Sequence, residues 1–153
     1  MKPVRILLIA HAPLAHALRE AALHVFTDCG CDVLAMDVQA HAEPEDTLQK
    51  AQALLPPASP DDAPLLVLTD VFGATPSNVA LRLVEGRNAR VLTGVNLPML
   101  LRAWCYRAEP LESLVARAQA GGMQGILLAG GGSAPQNQSP RLQHDPDHSH
   151  HQQ

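Results

Sequence analysis

Residues 6–11, ILLIAH, form an apolar run that ends on a single histidine. A nearly continuous apolar stretch from Val4 to Ala10 is typical of a strand that helices cover on both faces. The residues that follow, from Pro13 to about Cys29, repeat apolar positions at three- and four-residue spacing and predict a helix that stops near Gly30. The chain therefore opens with a strand that places one histidine at its carboxyl end, where open α/β sheets hold their ligands.

The rest of the chain alternates strand and helix. Further strands are expected at 32–38, 65–70 and 90–94, and a short last strand at 126–129. Helices are expected at about 44–55, from residue 76, at 97–104 and from residue 111 to the Gly121-Gly122 pair. This order predicts right-handed crossovers and an α/β fold, with an open, mostly parallel four-stranded sheet and helices on both faces.

Length and composition exclude several classes of protein. At 153 residues one domain is expected over residues 1–130, followed by a disordered, His-rich tail at 131–153. A formal net charge of −4 without a basic cluster argues against nucleic acid as a partner. No apolar stretch approaches the roughly 20 residues of a membrane span, so we expect a cytoplasmic protein without direct membrane insertion. The three cysteines complete no zinc site and are expected to be buried or idle thiols.

Polar residues follow three of the predicted strands and meet at one sheet edge. They are His11, Asp70 and Asn96. A carboxylate on one ring nitrogen fixes the tautomer of a histidine and leaves the other nitrogen free as a nucleophile. The helix start after Gly73 offers free backbone N–H groups to an anion, with Thr75 as its expected cap.

On the residues alone, bland interpretations stay open at this edge. A histidine after a strand is often structural, and an aspartate there often only starts a loop. The other histidines before the tail, which are His16, His24 and His41, are expected to be solvated or to serve packing. Motifs for a serine hydrolase, a P-loop and a dinucleotide site are absent, which leaves an imidazole, an acid and helix N-termini suited to phosphoryl transfer.

Three segments resemble one known family. They are the strand that runs into His11, the segment TDVFGATPSN at 69–78 and the segment GVNLPML at 94–100. Over about residues 3–129 the chain resembles the IIA domain of the mannose (mannose-fructose-sorbose) family of the bacterial phosphoenolpyruvate-dependent sugar phosphotransferase system. The sequence departs from the family at Ala10 and Ala12, where Thr and Gly are common, and at Gly73-Ala74, where Gly-Gly is common.

The resemblance implies that His11 is phosphorylated by the carrier protein HPr and that Asp70 hydrogen-bonds its ring. It also implies a homodimer that exchanges its last strand, near residues 125–129. The residues expected to surround the phosphoryl group are Phe72, Gly73, Ala74, Thr75 and Asn96. No metal or cofactor is implied, because phosphoryl passes between histidines.

The downstream acceptor is expected to be a separate IIB component, since no IIB domain follows in this sequence. The main alternative is a regulatory binding module whose phosphorylation at His11 reports phosphotransferase flux to a target protein. A flavodoxin-like ligand-binding domain is a further alternative, which the low aromatic content of 3% disfavours.

Overall fold

A computed structural model describes residues 1–27 and 32–130 of the chain. Its strands and helices alternate until the last two elements, which are both helices. In chain order they are β1 (Arg5–His11), α1 (Leu14–Val25), β2 (Leu34–Val38), α2 (Pro44–Ala53), β3 (Leu65–Thr69), α3 (Thr75–Leu83), β4 (Ala89–Thr93), α4 (Leu97–Cys105) and α5 (Leu111–Gln124).

The four strands form one parallel sheet in the order β2-β1-β3-β4, which confirms the predicted fold class. Strand β1 lies between β2 and β3, pairing Leu7 with Leu34 on one side and with Val67 on the other. The strand that follows β1 is β2, on one side of the sheet, whereas the strand that follows β3 is β4, on the other side. The carboxyl ends of β1 and β3 therefore form the switch point of the sheet, the usual place for a ligand crevice in open α/β sheets.

The core has two layers, one on each face of the sheet. Alternate residues of β1 face opposite sides: Ile6 and Leu8 pack with α1, α4 and α5, whereas Leu7 and Ile9 pack with α2 and α3. These four side chains are at most 1% exposed. A strand covered on both faces needs an apolar residue at every position, which explains the continuous run at the start of the chain.

Two helices end elsewhere than the sequence pattern predicts. Helix α1 stops at Val25 rather than near Cys29, because Phe26 leaves the helical conformation (φ −109°, ψ 64°) and packs against the core. Helix α5 runs through Gly121-Gly122 to Gln124 instead of closing there. A Cβ atom built on Gly121 would lie 2.9 Å from Cβ of Arg102, so α5 uses its glycines for close packing against α4 rather than as a stop.

The short last strand does not form within the single chain. Residues 126–129 are coil and pair with none of the strands among the described residues. Their large apolar side chains stay in solvent, with Ile126 78%, Leu127 71% and Leu128 89% exposed. Within one chain this segment joins neither sheet edge, β2 nor β4, so exchange with a second copy stays a prediction.

Other expectations concern the ends of the chain and its cysteines. Residues 131–153, the predicted tail, lie outside the described residues, as do Cys29 and Cys31. Cys105 is a free, exposed cysteine. Across residues 1–27 and 32–130, no helix is both long and apolar enough to cross a membrane.

One buried hydroxyl gives a test of the core. Thr69 is 0% exposed and its Oγ1 has no hydrogen-bond partner among the described residues. A buried hydroxyl without a partner destabilises the native state, so Thr69→Val should raise the free energy of unfolding by about 1 kcal/mol. Thr47→Val is the matched control, because the Thr47 hydroxyl donates to the carbonyl of Glu43 at 3.0 Å and its loss should lower stability. Urea unfolding measures both; a less stable Thr69→Val variant would contradict the prediction.

Candidate functional site

His11 ends β1 and is held by a carboxylate from the neighbouring strand. Its ring Nδ1 lies 2.7 Å from Oδ2 of Asp70, and its backbone N–H donates to the same oxygen at 2.9 Å. An ionised carboxylate only accepts hydrogen bonds, so the proton of the neutral ring is on Nδ1. The lone pair of Nε2 is therefore free, on a side chain that is 50% exposed.

Asp70 follows β3 and its side chain is only 13% exposed. Because a buried carboxylate has lost most of its water, hydrogen-bond partners decide whether it is ionised. Burial acts to raise its pKa. Hydrogen bonds from the backbone and ring of His11 and from the N–H of Val71, which reaches Oδ1 at 2.9 Å, outweigh burial and hold the pKa of Asp70 below its ordinary value. Asp70 is thus an anion at neutral pH, able to orient His11 and to stabilise positive charge on its ring.

The turn after Asp70 is held by Ser77, which the sequence indicated only as a residue of the cap and first turn of the helix. Gly73 has φ +85°, a conformation that glycine adopts without strain, and its N–H donates to Oγ of Ser77 at 2.9 Å. The Ser77 hydroxyl in turn donates to the carbonyl of Ala74 at 3.1 Å. Ser77 is fully buried and so fixes the shape of this turn from beneath. A Ser two residues into a helix start was the available signal.

Helix α3 begins one residue earlier than the cap prediction supposes. Ala74 is its N-cap and makes no side-chain cap bond, so the prediction that Thr75 caps the helix is wrong. The hydroxyl of Ser77 occupies the turn instead. The backbone N–H groups of Phe72, Ala74 and Thr75 form no hydrogen bond to any other described residue. Such free N–H groups at a helix start are favourable donors to an anion.

Asn96 caps α4, as its sequence position predicts. Its Oδ1 accepts from the N–H of Met99 at 2.9 Å, and its Nδ2 donates to the carbonyl of Gly122 at 3.0 Å. The residues before it are fastened to the end of β3, because the N–H of Gly94 donates to the Asp70 carbonyl at 3.1 Å. The structure therefore brings the Asn96 loop beside Asp70, but it engages both ends of the Asn96 amide in helix capping and packing.

This double engagement predicts a large structural effect. Asn96→Ala should lower the free energy of unfolding by about 2 kcal/mol, because the variant loses an N-cap and leaves the Gly122 carbonyl without its donor. Asn96→Asp is the matched control: it keeps the cap acceptor and should recover part of the loss. Thermal or urea unfolding measures the series. Equal stability of the Ala variant and the wild type would show that the amide is not a structural tie.

The other histidines differ from one another. His24 and His41 are exposed, in line with a solvated role. His16, for which the same role was expected, is instead paired: its Nδ1 lies 2.8 Å from Oδ2 of Asp37 on β2. The missed signal was the position of Asp37, which lies beside Ala10 in the sheet register, one residue before the strand end. Within the described part of the chain, no group of three or more His, Cys, Asp or Glu residues could hold a metal ion.

The chain has relatives among known proteins, both in sequence and in structure. A family model described as "PTS system fructose IIA component", where PTS is the phosphotransferase system, matches residues 5–119. The chain is similar in structure to a mannose/sorbose-specific IIA subunit of the phosphotransferase system from Enterococcus faecalis, with a TM-score of 0.77 and 26% identity over 88% of this chain and 99% of that one. No curated protein sequence matches the chain.

Two further solved structures share the fold. The phosphotransferase system component EIIA from Streptococcus agalactiae is 26% identical, with a TM-score of 0.70 over 81% of this chain and 95% of that one. A putative phosphoenolpyruvate-dependent sugar phosphotransferase system permease from Klebsiella pneumoniae is 19% identical, with a TM-score of 0.69 over 82% and 90% of the two chains. At 19% identity, the similarity to the Klebsiella pneumoniae protein concerns the fold alone.

Proposed function

Because the chain belongs to the family of PTS system fructose IIA components, we propose that His11 accepts a phosphoryl group from phospho-HPr and passes it to a IIB component for sugar uptake. Family membership makes the chain a component of a sugar phosphotransferase system. The donor, the acceptor and the reacting residue are the proposed part. We propose a cytoplasmic location for this chain.

The observation that supports this function is the contact between His11 and Asp70. A phosphoryl acceptor needs an uncharged nitrogen with a free lone pair, and the bond from Nδ1 to Asp70 at 2.7 Å leaves Nε2 in that state. The half-exposed ring is open to a second protein, which a carrier between two proteins requires. As positive charge develops on the ring, the anionic Asp70 stabilises it without moving.

The proposed reaction is an in-line displacement at phosphorus. Nε2 of His11 attacks the phosphoryl group of the donor phosphohistidine, the donor's P–N bond breaks, and its electron pair returns to the donor nitrogen. The Nδ1 proton stays shared with Asp70 throughout. Transfer to the IIB component is the same displacement, with His11 as the leaving group.

The turn at residues 72–75 supplies the proposed binding groups for the phosphoryl oxygens. The N–H groups of Phe72, Ala74 and Thr75 are free, whereas that of Gly73 is engaged by Ser77. Gly73 therefore contributes by allowing the turn. Asn96 contributes by holding its loop beside Asp70 rather than by its amide. Helix N-termini bind phosphate through such N–H groups.

Incubation with phosphoenolpyruvate, enzyme I and HPr tests the proposal. We expect an acid-labile phosphoryl group on His11, located by peptide mass spectrometry, and its discharge when a mannose-family IIB component is added. Omission of HPr is the control and should leave His11 unmodified. An unmodified His11 in the complete mixture would overturn the proposal. A label on His11 that IIB does not remove would overturn the carrier role and favour the regulatory alternative.

The homodimer belongs to this proposal as well. The exposed side chains of Ile126, Leu127 and Leu128 are a contiguous apolar segment that a second copy could cover by strand pairing. The mass of the protein in solution tests the dimer, and a monomer at micromolar concentration would contradict it.

A further inference from the structure

Asp37 holds His16 in the way that Asp70 holds His11. In both pairs the ring Nδ1 meets a carboxylate oxygen, at 2.8 Å for His16 and 2.7 Å for His11. In both pairs the backbone N–H of the same histidine also donates to that carboxylate, for His16 to Oδ1 of Asp37 at 3.2 Å. Each ring is 50% exposed, and each carboxylate is largely buried, at 17% and 13%. Residues 1–27 and 32–130 thus contain two histidines with Nδ1 engaged and Nε2 accessible.

The two pairs lie at the same carboxyl edge of the sheet, because His11 and Asp37 belong to the neighbouring strands β1 and β2. Asp37 lies beside Ala10 in the register of β1 and β2, one position before His11 and Val38. His16 is the third residue of α1, the helix that follows β1 directly. The second pair therefore shares the carboxyl edge at which the proposed phosphoryl donor must dock.

The surroundings of His16 suit a phosphorylated histidine. His16 and Asp37 line an open cavity of about 480 Å³ together with Gln39 and Lys50. The ammonium group of Lys50 forms no ion pair with any carboxylate in the described part of the chain, so it is available to an added anion. The amide of Gln39 is a further donor. The rest of the lining is mostly apolar and comes from Ala35, Met36, Ala53 and Leu54.

A purely structural purpose explains only part of this arrangement. Asp37 accepts a hydrogen bond from the N–H of His16, which lies in the first turn of α1 and has no partner within the helix. That contact alone would fasten the helix to β2. The second contact, to the ring, orders a side chain that remains half in solvent, where an ion pair adds little stability. Its distinctive effect is chemical, because it fixes the ring tautomer with Nε2 as the free nitrogen.

We propose that His16 is a second phosphoryl-accepting histidine, loaded on Nε2 by a protein phosphohistidine. The proposal rests on the proposed function for its donor. In the transfer, the lone pair of Nε2 forms the new P–N bond, the donor's P–N bond breaks, and its electron pair stays on the donor nitrogen. The Nδ1 proton remains between the ring and Asp37, and no further reactant is needed.

The test uses the full chain with His11→Gln, incubated with phosphoenolpyruvate, enzyme I and HPr. We expect one acid-labile phosphoryl group on His16, located by peptide mass spectrometry, and none when His16→Gln is added. Asp37→Asn in the same background should slow labelling about tenfold or more, because an amide no longer fixes the proton on Nδ1. His24→Gln is the matched control, since it removes an exposed histidine outside both sites, and labelling of His16 should be unchanged.

The outcomes separate this inference from the proposed function. Absence of phosphoryl on His16, or equal labelling of His16 and His24, overturns the second site. If His16 stays unlabelled while His11 of the wild type is labelled in the same mixture, the proposed function stands and the second site falls. If His11 stays unlabelled, the proposed function falls, whatever happens at His16. If His16 is labelled as fast in the Asp37→Asn variant as in the His11→Gln chain from which it is made, the role assigned to Asp37 is wrong.

Discussion

Replacement of His11 by Gln will remove phosphoryl transfer through residue 11, with a loss in the rate of delivery to IIB on the order of 10⁴-fold or more. Gln has no nitrogen that can form the phosphorylated intermediate, so residue 11 can no longer carry the phosphoryl group. The amide N–H of Gln can still donate a hydrogen bond to Asp70, which keeps the carboxylate partnered. Quench-flow measurement of phosphoryl arriving on IIB gives the rate.

The fold should tolerate this replacement. His11 is half exposed, and the sheet pairing of β1 involves its backbone rather than its ring. The free energy of unfolding should change by no more than about 0.5 kcal/mol, as for other surface positions. His24→Gln, in the exposed part of α1, serves as the control and should deliver phosphoryl at the wild-type rate. Normal delivery by a folded His11→Gln variant would contradict the assignment of residue 11.

Asp70→Asn should produce the second largest effect, a loss of about 10²- to 10⁴-fold in the rate of His11 phosphorylation. The amide group of Asn can donate to Nδ1 and so favour the tautomer with its proton on Nε2, where the lone pair is required. The substitution also removes the negative charge that stabilises the ring during transfer. Rapid quenching followed by peptide mass spectrometry measures the rate. Asp61→Asn, on the exposed loop before β3, is the matched control and should leave the rate unchanged.

The same variant should change how stability depends on pH. Hydrogen bonds to the Asp70 carboxylate hold its pKa below the ordinary value despite burial, so folding favours the ionised form. Its contribution is complete at pH values above the ordinary aspartate pKa and is lost as the pH falls through the lowered pKa of the native state. The wild type should therefore be more stable than Asp70→Asn at neutral pH, and the difference should shrink under acid. A difference that is independent of pH would show that Asp70 is not ionised.

The sequence was sufficient for the sheet because a parallel strand buried on both faces has an unmistakable pattern. The continuous apolar residues of β1 and β3 predicted both strands, and the polar residue that ends each run then placed His11 and Asp70 at one edge of the sheet. Their direct contact was implied by the resemblance to the family. Because the topology of the sheet fixes where its strands end, residues distant in sequence can be placed together from the sequence alone.

Features that depend on tertiary contacts were not predictable in this way. Gly121-Gly122 looks like a helix stop in sequence, but its lack of side chains serves the approach of α4. Ser77 is an ordinary first-turn residue until its hydroxyl is seen to hold the turn at Gly73. The pairing of His16 with Asp37 joins a helix to a strand 21 positions later, so only the place of Asp37 near the end of β2, and not the local pattern around His16, points to it.

The alanines beside His11 fit their places in the fold. Ala10 is fully buried in the layer of core beneath α1, where a larger polar residue would need a partner. Ala12 donates its N–H to the carbonyl of Val38 at 2.9 Å, which continues the pairing of β1 and β2 past the end of the strand. The departures from the family pattern therefore lie in the packing and backbone around His11, while its contact with Asp70 is intact.

The identity of the phosphorylated nitrogen tests the central claim most directly. Long-range proton-nitrogen NMR of the phosphorylated chain, carrying His16→Gln so that only one site contributes, distinguishes the two ring nitrogens of His11. The contact between Nδ1 and Asp70 predicts phosphoryl on Nε2 of His11, with Nδ1 protonated. Phosphoryl on Nδ1 of His11, or on any other residue with His11 unmodified, would contradict the account.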